Sequence, residues 1–348
     1  MYLTPDELLD LTTLTLNKIK RRVYSDFSME YAEYIAPRIF KQYLINEMGG
    51  PNIEFKVKYR NLGNAHHSGL WAEGRTGVRN IMTTGTMPWR KQESSMSYDV
   101  DEEIFQTDQE TIVSEMVTRV HAMECDMVDL DEDDMWQAPT GTDDDRPAGI
   151  PYWIVKDADT TPTGGFNGGN PSGFSSGCAN INSSTYTSYK NYTAGYDSVS
   201  PTNLIRRMKK AMRATRFKVP VPFAELKYGE SKLEGFTTEP VIDEMERMAE
   251  GRNDNLGTDL ARYMNQVVVN GVPITEVPWL TANDASDPVY GINFGYLRPY
   301  GRKGRYMRRT KPMPAPRQPT VRDVFLHSWM NWCCFDRRRQ WVISKSES

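Results

Sequence analysis

Residues 266–280, QVVVNGVPITEVPWL, constrain the fold of this chain more tightly than any other stretch. Asn270-Gly271 supplies the two positive φ values of a type I′ turn, so the valines before it and the Val272-Pro273-Ile274 run after it are predicted to pair as a tight hairpin. Pro273 has no amide hydrogen for a ladder, which predicts an edge strand. The stretch is stiff and carries no catalytic group. A chain built around such a segment puts its information into shape rather than into chemistry.

The 348 residues are enough for roughly two domains and a sizeable core. Four cysteines with no Cys-x-x-Cys pair are too few for a disulfide framework, and the adjacent Cys333 and Cys334 are poorly placed to bridge each other, so reduced thiols are expected. The N-terminus, MYLTPDELLDL, has acids where a signal peptide has bases, and no apolar run approaches the roughly 18 residues of a membrane span. These features predict a soluble chain that is not exported. Net charge is only −4, yet acids crowd residues 99–145 and arginines dominate residues 298–339. Such segregation points to contact with other charged surfaces, in self-association or on nucleic acid.

Thr4-Pro5-Asp6-Glu7 has the composition of a helix start, and a second amphipathic stretch over residues 29–47 stops at Gly49-Gly50-Pro51, so the first 51 residues read as an arm. Alternation begins at Ile53-Glu54-Phe55-Lys56-Val57. A polar, Gly- and Arg-rich middle follows over residues 61–88, with a returning strand expected at residues 96–100. That middle is too polar to make its own core and must lie on something else, such as a neighbouring subunit. Ile112, Met116, Val120, Met123, Met127 and Leu130 fall on one face of the longest predicted helix, residues 102–136. Its C-terminal acid run, residues 129–134, opposes the helix dipole, so that end is expected to fray or to find arginines. Residues 157–200 read as rim loops. Ser200-Pro201 precedes a basic helix with an apolar face at Leu204, Met208, Ala211 and Met212, a further helix covers residues 239–250, and residues 288–343 are mostly strand.

Chemical motifs are weak. Gly173-Phe174-Ser175-Ser176-Gly177 matches a nucleophile elbow in letters, but its flanks lack the strand and helix that an elbow needs. His121, Glu124 and Cys125 share one helical strip, a poor match to tetrahedral zinc, and the acidic clusters lack calcium-loop spacing. No metal, cofactor or catalytic residue is assigned. The basic helix and the arginine-rich tail suit either phosphate backbones or salt bridges to the acidic segment of the same or a neighbouring chain.

The order of elements resembles the major capsid protein of tailed bacteriophages, an α+β fold of the Hong Kong 97 type. The residues carrying the resemblance are Val267 to Ile274 with Val277-Pro278-Trp279-Leu280, then Pro288 to Phe294, Gln318 to Val321, and the closing Asp336-Arg337-Arg338-Arg339-Gln340-Trp341. It is densest over residues 252–343 and architectural before that. The resemblance implies an N-terminal arm (1–51), an extended two-stranded loop (52–100), a spine helix and peripheral domain (101–150), an axial domain (151–299, with an insertion at 157–200) and a return to the peripheral domain (300–348). It further implies a non-enzymatic subunit forming hexamers and pentamers of an icosahedral shell around double-stranded DNA. The shell is assembled in the host cytoplasm and found in the virion. Expected partners are a separate scaffolding protein, a portal protein, a decoration protein and DNA held without sequence preference. Expected contacts between subunits are Trp71, Arg75 and Arg79 in the excursion, Asp131, Asp133 and Asp134 in the acid run, and Arg305, Arg308 and Arg309 in the tail. The alternatives are a hydrolase using Ser175 or an acidic pair, and a nucleic-acid-binding protein outside any shell.

Overall fold

A computed structural model describes residues 29, 31, 33–47, 49–71, 77–101, 109–156, 164–216, 232–250 and 266–345. The helix expected from Thr4, the first residues of the long helix and Arg75 lie outside them. The elements begin with α1 (Ala36–Tyr43), β1 (Ile45–Glu47), β2 (Asn52–Lys58), β3 (Met82–Pro88), β4 (Arg90–Asp99), α2 (Gln109–Trp136) and α3 (Ile150–Trp153). Next come β5 (Gly165–Gly168), β6 (Asn191–Tyr196), α4 (Leu204–Thr215), β7 (Leu233–Thr237), α5 (Glu239–Glu250), β8 (Gln266–Val269), β9 (Val272–Glu276) and α6 (Pro278–Asn283). The chain closes with β10 (Val289–Asn293), β11 (Leu297–Arg302), β12 (Arg308–Arg309), β13 (Met313–Ala315), β14 (Gln318–Cys334) and β15 (Trp341–Lys345). Two compact units divide the chain discontinuously: residues 1–48, 90–133 and 301–330 form the first, and residues 49–89, 134–300 and 331–348 the second. Among the described residues no helix is long and apolar enough to cross a membrane.

In the first unit, β14 pairs antiparallel with β4 over ten residues, from Val321↔Asp99 to Met330↔Arg90. The α2 helix lays its apolar face on this pair. Met116 packs with Tyr98 and Val324, and Met123 and Met127 pack with Leu326. The residue spacing that predicted the helix is therefore the spacing of its buried stripe. The strand at residues 96–100 is part of β4 and belongs to this sheet; the strand that returns from the excursion is β3. Alternation identifies a strand but not its partner.

The acid run of α2 does not fray. Asp131, Glu132 and Asp134 are 5%, 1% and 3% exposed, because each has a polar partner. Glu132 Oε2 accepts the Ala36 amide at 2.7 Å, placing a carboxylate on the N-terminus of α1, where the dipole favours negative charge. Asp131 Oδ1 accepts from Gln92 Nε2 at 2.9 Å. In the second unit Asp134 meets Arg146 at 3.4 Å, the arginine partner that the sequence called for.

The second unit is organised on a seven-stranded sheet in the order β5-β6-β15-β10-β7-β9-β8. One face of it carries α4 and α5, whose Leu204, Met208, Ala211, Val241 and Met245 join Tyr192, Ala194, Ile274, Trp341 and Ile343 in a single core. Asn270 and Gly271 have φ of 53° and 78°, and Val269 pairs with Val272, so the hairpin turn has the predicted left-handed geometry. Pro273, however, lies on an inner strand, and β8 is the edge. Beyond a two-residue turn the next pair, Val268↔Pro273, directs its backbone groups outward. The parallel ladder with β7 begins only at Ile274, so no partner misses the proline's amide. The rim-loop reading of residues 157–200 also needs correction. All six residues of β6 are buried, and β6 runs parallel to β15, from Tyr192↔Trp341 to Tyr196↔Lys345.

Candidate assembly surfaces

The excursion is a regular hairpin at its base and an open loop at its tip. Strands β2 and β3 pair from Asn52↔Pro88 to Lys58↔Met82. Ile53 and Phe55 face inward, and Phe55 lies under Gly85, where a Cβ would come within 2.6 Å of the ring. Phe55 also meets Phe335 edge to face at 5.1 Å, so the base is bolted to the second unit by aromatic contacts. Beyond Tyr59 only a few polar bonds hold the tip: Tyr59 Oη and Arg60 Nε donate to Asn80 O, and Asn64 Nδ2 donates to Gly77 O. Leu70, Trp71 and Val78 are 91%, 97% and 104% exposed, with Trp71 at φ 72°. Each would gain roughly 1.5–3 kcal/mol if covered, and nothing among the described residues of the second unit covers them.

Of the other predicted contact residues, Arg79, Arg305 and Arg308 are exposed and Asp133 is half-buried. Arg309 forms an ion pair with Glu124 in its own chain. Asp131 and Asp134 are buried with the partners described above; an arginine for this end of the helix was expected from the sequence, whereas Gln92, 39 residues before Asp131, was not. Ser175 sits in an exposed turn between Pro171 and the isolated bridge Cys178↔Ile181, with neither strand before nor helix after it. No hydrogen bond reaches its Oγ among the described residues. Burial pushes the nearby Cys178 thiol up to about 11, so it remains protonated and inert at neutral pH.

Sequence reasoning missed a dense buried polar site. Arg337, in the turn after β14, is fully buried: its Nε donates to Trp153 O, and its terminal nitrogens donate to Tyr189 O, Gly169 O and Asn191 Oδ1, at 2.8 to 3.1 Å. Asn191 in turn bonds both backbone groups of Val155. One guanidinium thus ties together three stretches of the second unit, at Trp153, Gly169 and residues 189–191, and the run of three arginines in the sequence gave no sign that its first member faced inward. Beside it, a groove of about 940 Å³ opens between β2 and the strand ends, lined by Phe55, Tyr59, Tyr296 and Tyr300 and by Lys56, Lys58, Arg298 and Arg339.

No protein-family model and no curated protein matches the sequence. Solved structures do. The capsid asymmetric unit of cyanophage A-1(L) superposes with a TM-score of 0.61 at 16% identity, covering 95% of this chain and 98% of that one. The chain has the Hong Kong 97-type capsid fold. The capsid of a native GTA particle matches with a TM-score of 0.56 at 11% identity (94% and 96% covered), and the capsid of the Myoviridae phage XM1 with 0.55 at 8% identity (95% and 98% covered). Identity this low leaves few shared side chains, so the likeness is one of fold.

Proposed function

We propose that the chain is the major capsid protein of a tailed phage, a non-enzymatic subunit that associates into hexamers and pentamers of an icosahedral shell enclosing double-stranded DNA. The observation that carries this reading is the near-complete coverage, in both directions, between this chain and the cyanophage A-1(L) capsid subunit. The bare tip of the hairpin supports it, since three fully exposed apolar side chains on a loop without a core call for a neighbour. In this reading Trp71 and Arg79 on the tip, with Arg305 and Arg308 in the tail, meet adjacent subunits, whereas Asp131 and Asp134 act inside their own subunit. A scaffolding protein, a portal protein and a decoration protein are the partners that such a shell implies. The subunit is made in the host cytoplasm and ends in the virion.

Co-expression with a scaffolding protein, followed by size-exclusion with light scattering and negative-stain microscopy, tests the proposal. Capsomers or megadalton shells are expected. A chain that stays monomeric at every concentration and hydrolyses esters through Ser175 overturns it.

A further inference from the structure

The second unit carries two helices of opposite charge over opposite halves of one sheet face. Helix α4 lies over β6 and β15, and α5 over β8 and β9. The α4 sequence, LIRRMKKAMRAT, contains no acid, whereas α5, EPVIDEMERMAE, contains five acids and one arginine. Both helices bury their apolar side in the same core, so the charges face away from it. On α4 the outward residues Arg206, Lys209 and Arg213 recur at helical spacing. On α5 Glu239, Asp243 and Glu246 do the same. Neighbouring charges of both helices are already used: Arg207 meets Asp197 at 3.9 Å, and Arg247 meets Glu244 at 2.9 Å. Those six ridge residues form no ion pair among the described residues.

A closed ring is made by heterologous contacts, in which each subunit presents two different, complementary patches. We infer that α4 of one copy docks against α5 of the next, the cationic ridge of one meeting the acidic ridge of its neighbour, as the electrostatic contact that closes the capsomer. The occupant of each face is a second copy of this chain. The ridges have matching spacing and opposite sign, and the other concentrated acid run, residues 129–134, is largely buried within its own subunit. The contact sets register and steers association more than it supplies raw affinity. The inference rests on the shell reading given above.

Two variants test it. The first carries Arg206→Glu, Lys209→Glu and Arg213→Glu, and the second carries Glu239→Lys, Asp243→Lys and Glu246→Lys. All six positions are on the outer face, so both variants should fold, and circular dichroism checks this. Each alone presents like charges at the contact and should associate about tenfold or more weakly than wild type in sedimentation velocity, as expected when several ion pairs become repulsions. Mixed together they should form rings of alternating copies, hence hexamers and no pentamers, and the chain carrying all six changes should associate on its own. If either variant fails to fold, wild-type association at low and high salt gives the answer, since this contact must weaken as salt rises. Wild-type rings with unaltered association of both variants overturn the docking but leave the shell reading intact. Normal rings from the first variant with only DNA retention lost assign α4 to the genome and overturn it equally. A wild-type chain that never associates removes the shell reading itself.

Discussion

Trp341 covers Gly291 so closely that a Cβ there would fall 1.8 Å from the indole ring. The pair is in register between β15 and β10, and both strands are interior to the sheet. Gly291→Ala should therefore cost about 1–3 kcal/mol, because neither the fully buried ring nor the ladder has room to give. Urea melts of the variant against wild type check this; an unchanged midpoint would show that the indole can swing aside. Arg337 is the second sensitive residue. Arg337→Met keeps most of the volume but removes the donor to three backbone carbonyls, Trp153 O, Tyr189 O and Gly169 O, and a loss on the order of 3–5 kcal/mol is expected. Arg337→Lys should recover only part of it, since an ammonium offers three donors without the planar fork. The sequence announced Asn270-Gly271 through its own chemistry. It did not announce Gly291 or Arg337, whose importance comes from what the fold places against them.

Among elements, those with strong period and punctuation were legible. Helix α4 and the stripe on α2 follow their apolar spacing, and the turn between β8 and β9 follows its dipeptide. Strand β6 was not, because NYTAGY has no aliphatic alternation and is buried on both faces, and the sheet membership of β4 was not, because its partner lies over 200 residues away. One contact between elements gives a pH signature. Lys156 Nζ reaches Asp284 Oδ2 at 2.5 Å and Ser286 Oγ at 2.7 Å, tying the segment after α3 to the end of α6. Burial alone would raise the Asp284 pKa, but the Lys156 contact and the Ser286 hydrogen bonds outweigh it and hold the carboxyl below its usual value. A carboxylate depressed in the folded state stabilises the protein above its unfolded pKa, about 4, and that contribution is lost as pH falls through the lower folded value. Thermal melts across that range should show a steeper acid loss for wild type than for Asp284→Asn. Parallel curves would mean that the pair is too solvated to matter.

For the whole molecule, the order of elements was readable from the sequence while their allocation was not. The chain leaves and re-enters each unit, so segments adjacent in sequence, such as β3 and β4, belong to different units. The candidate surfaces divide in the same way. The tip was legible as polar chain without a core, and its apolar Leu70, Trp71 and Val78 gain meaning only once the hairpin is seen to leave them bare. Removing residues 63–78 with a short glycine linker, which leaves β2 and β3 intact, should keep the melting temperature of the subunit within a few degrees while abolishing stable particles. Electron microscopy decides; heat-stable shells from the deletion would show that the tip is not the overlap element.

The place of β15 between β6 and β10 governs how the molecule comes into being. Tyr192 is translated long before its partner Trp341, and during that interval β6 and β10 each lack the strand that separates them. A nascent chain on the ribosome thus displays two unsatisfied strand edges and an uncovered aromatic core, the features that invite wrong pairing at high concentration. The faster such a chain is made, the more copies of it wait with these edges bare until residues 341–345 arrive.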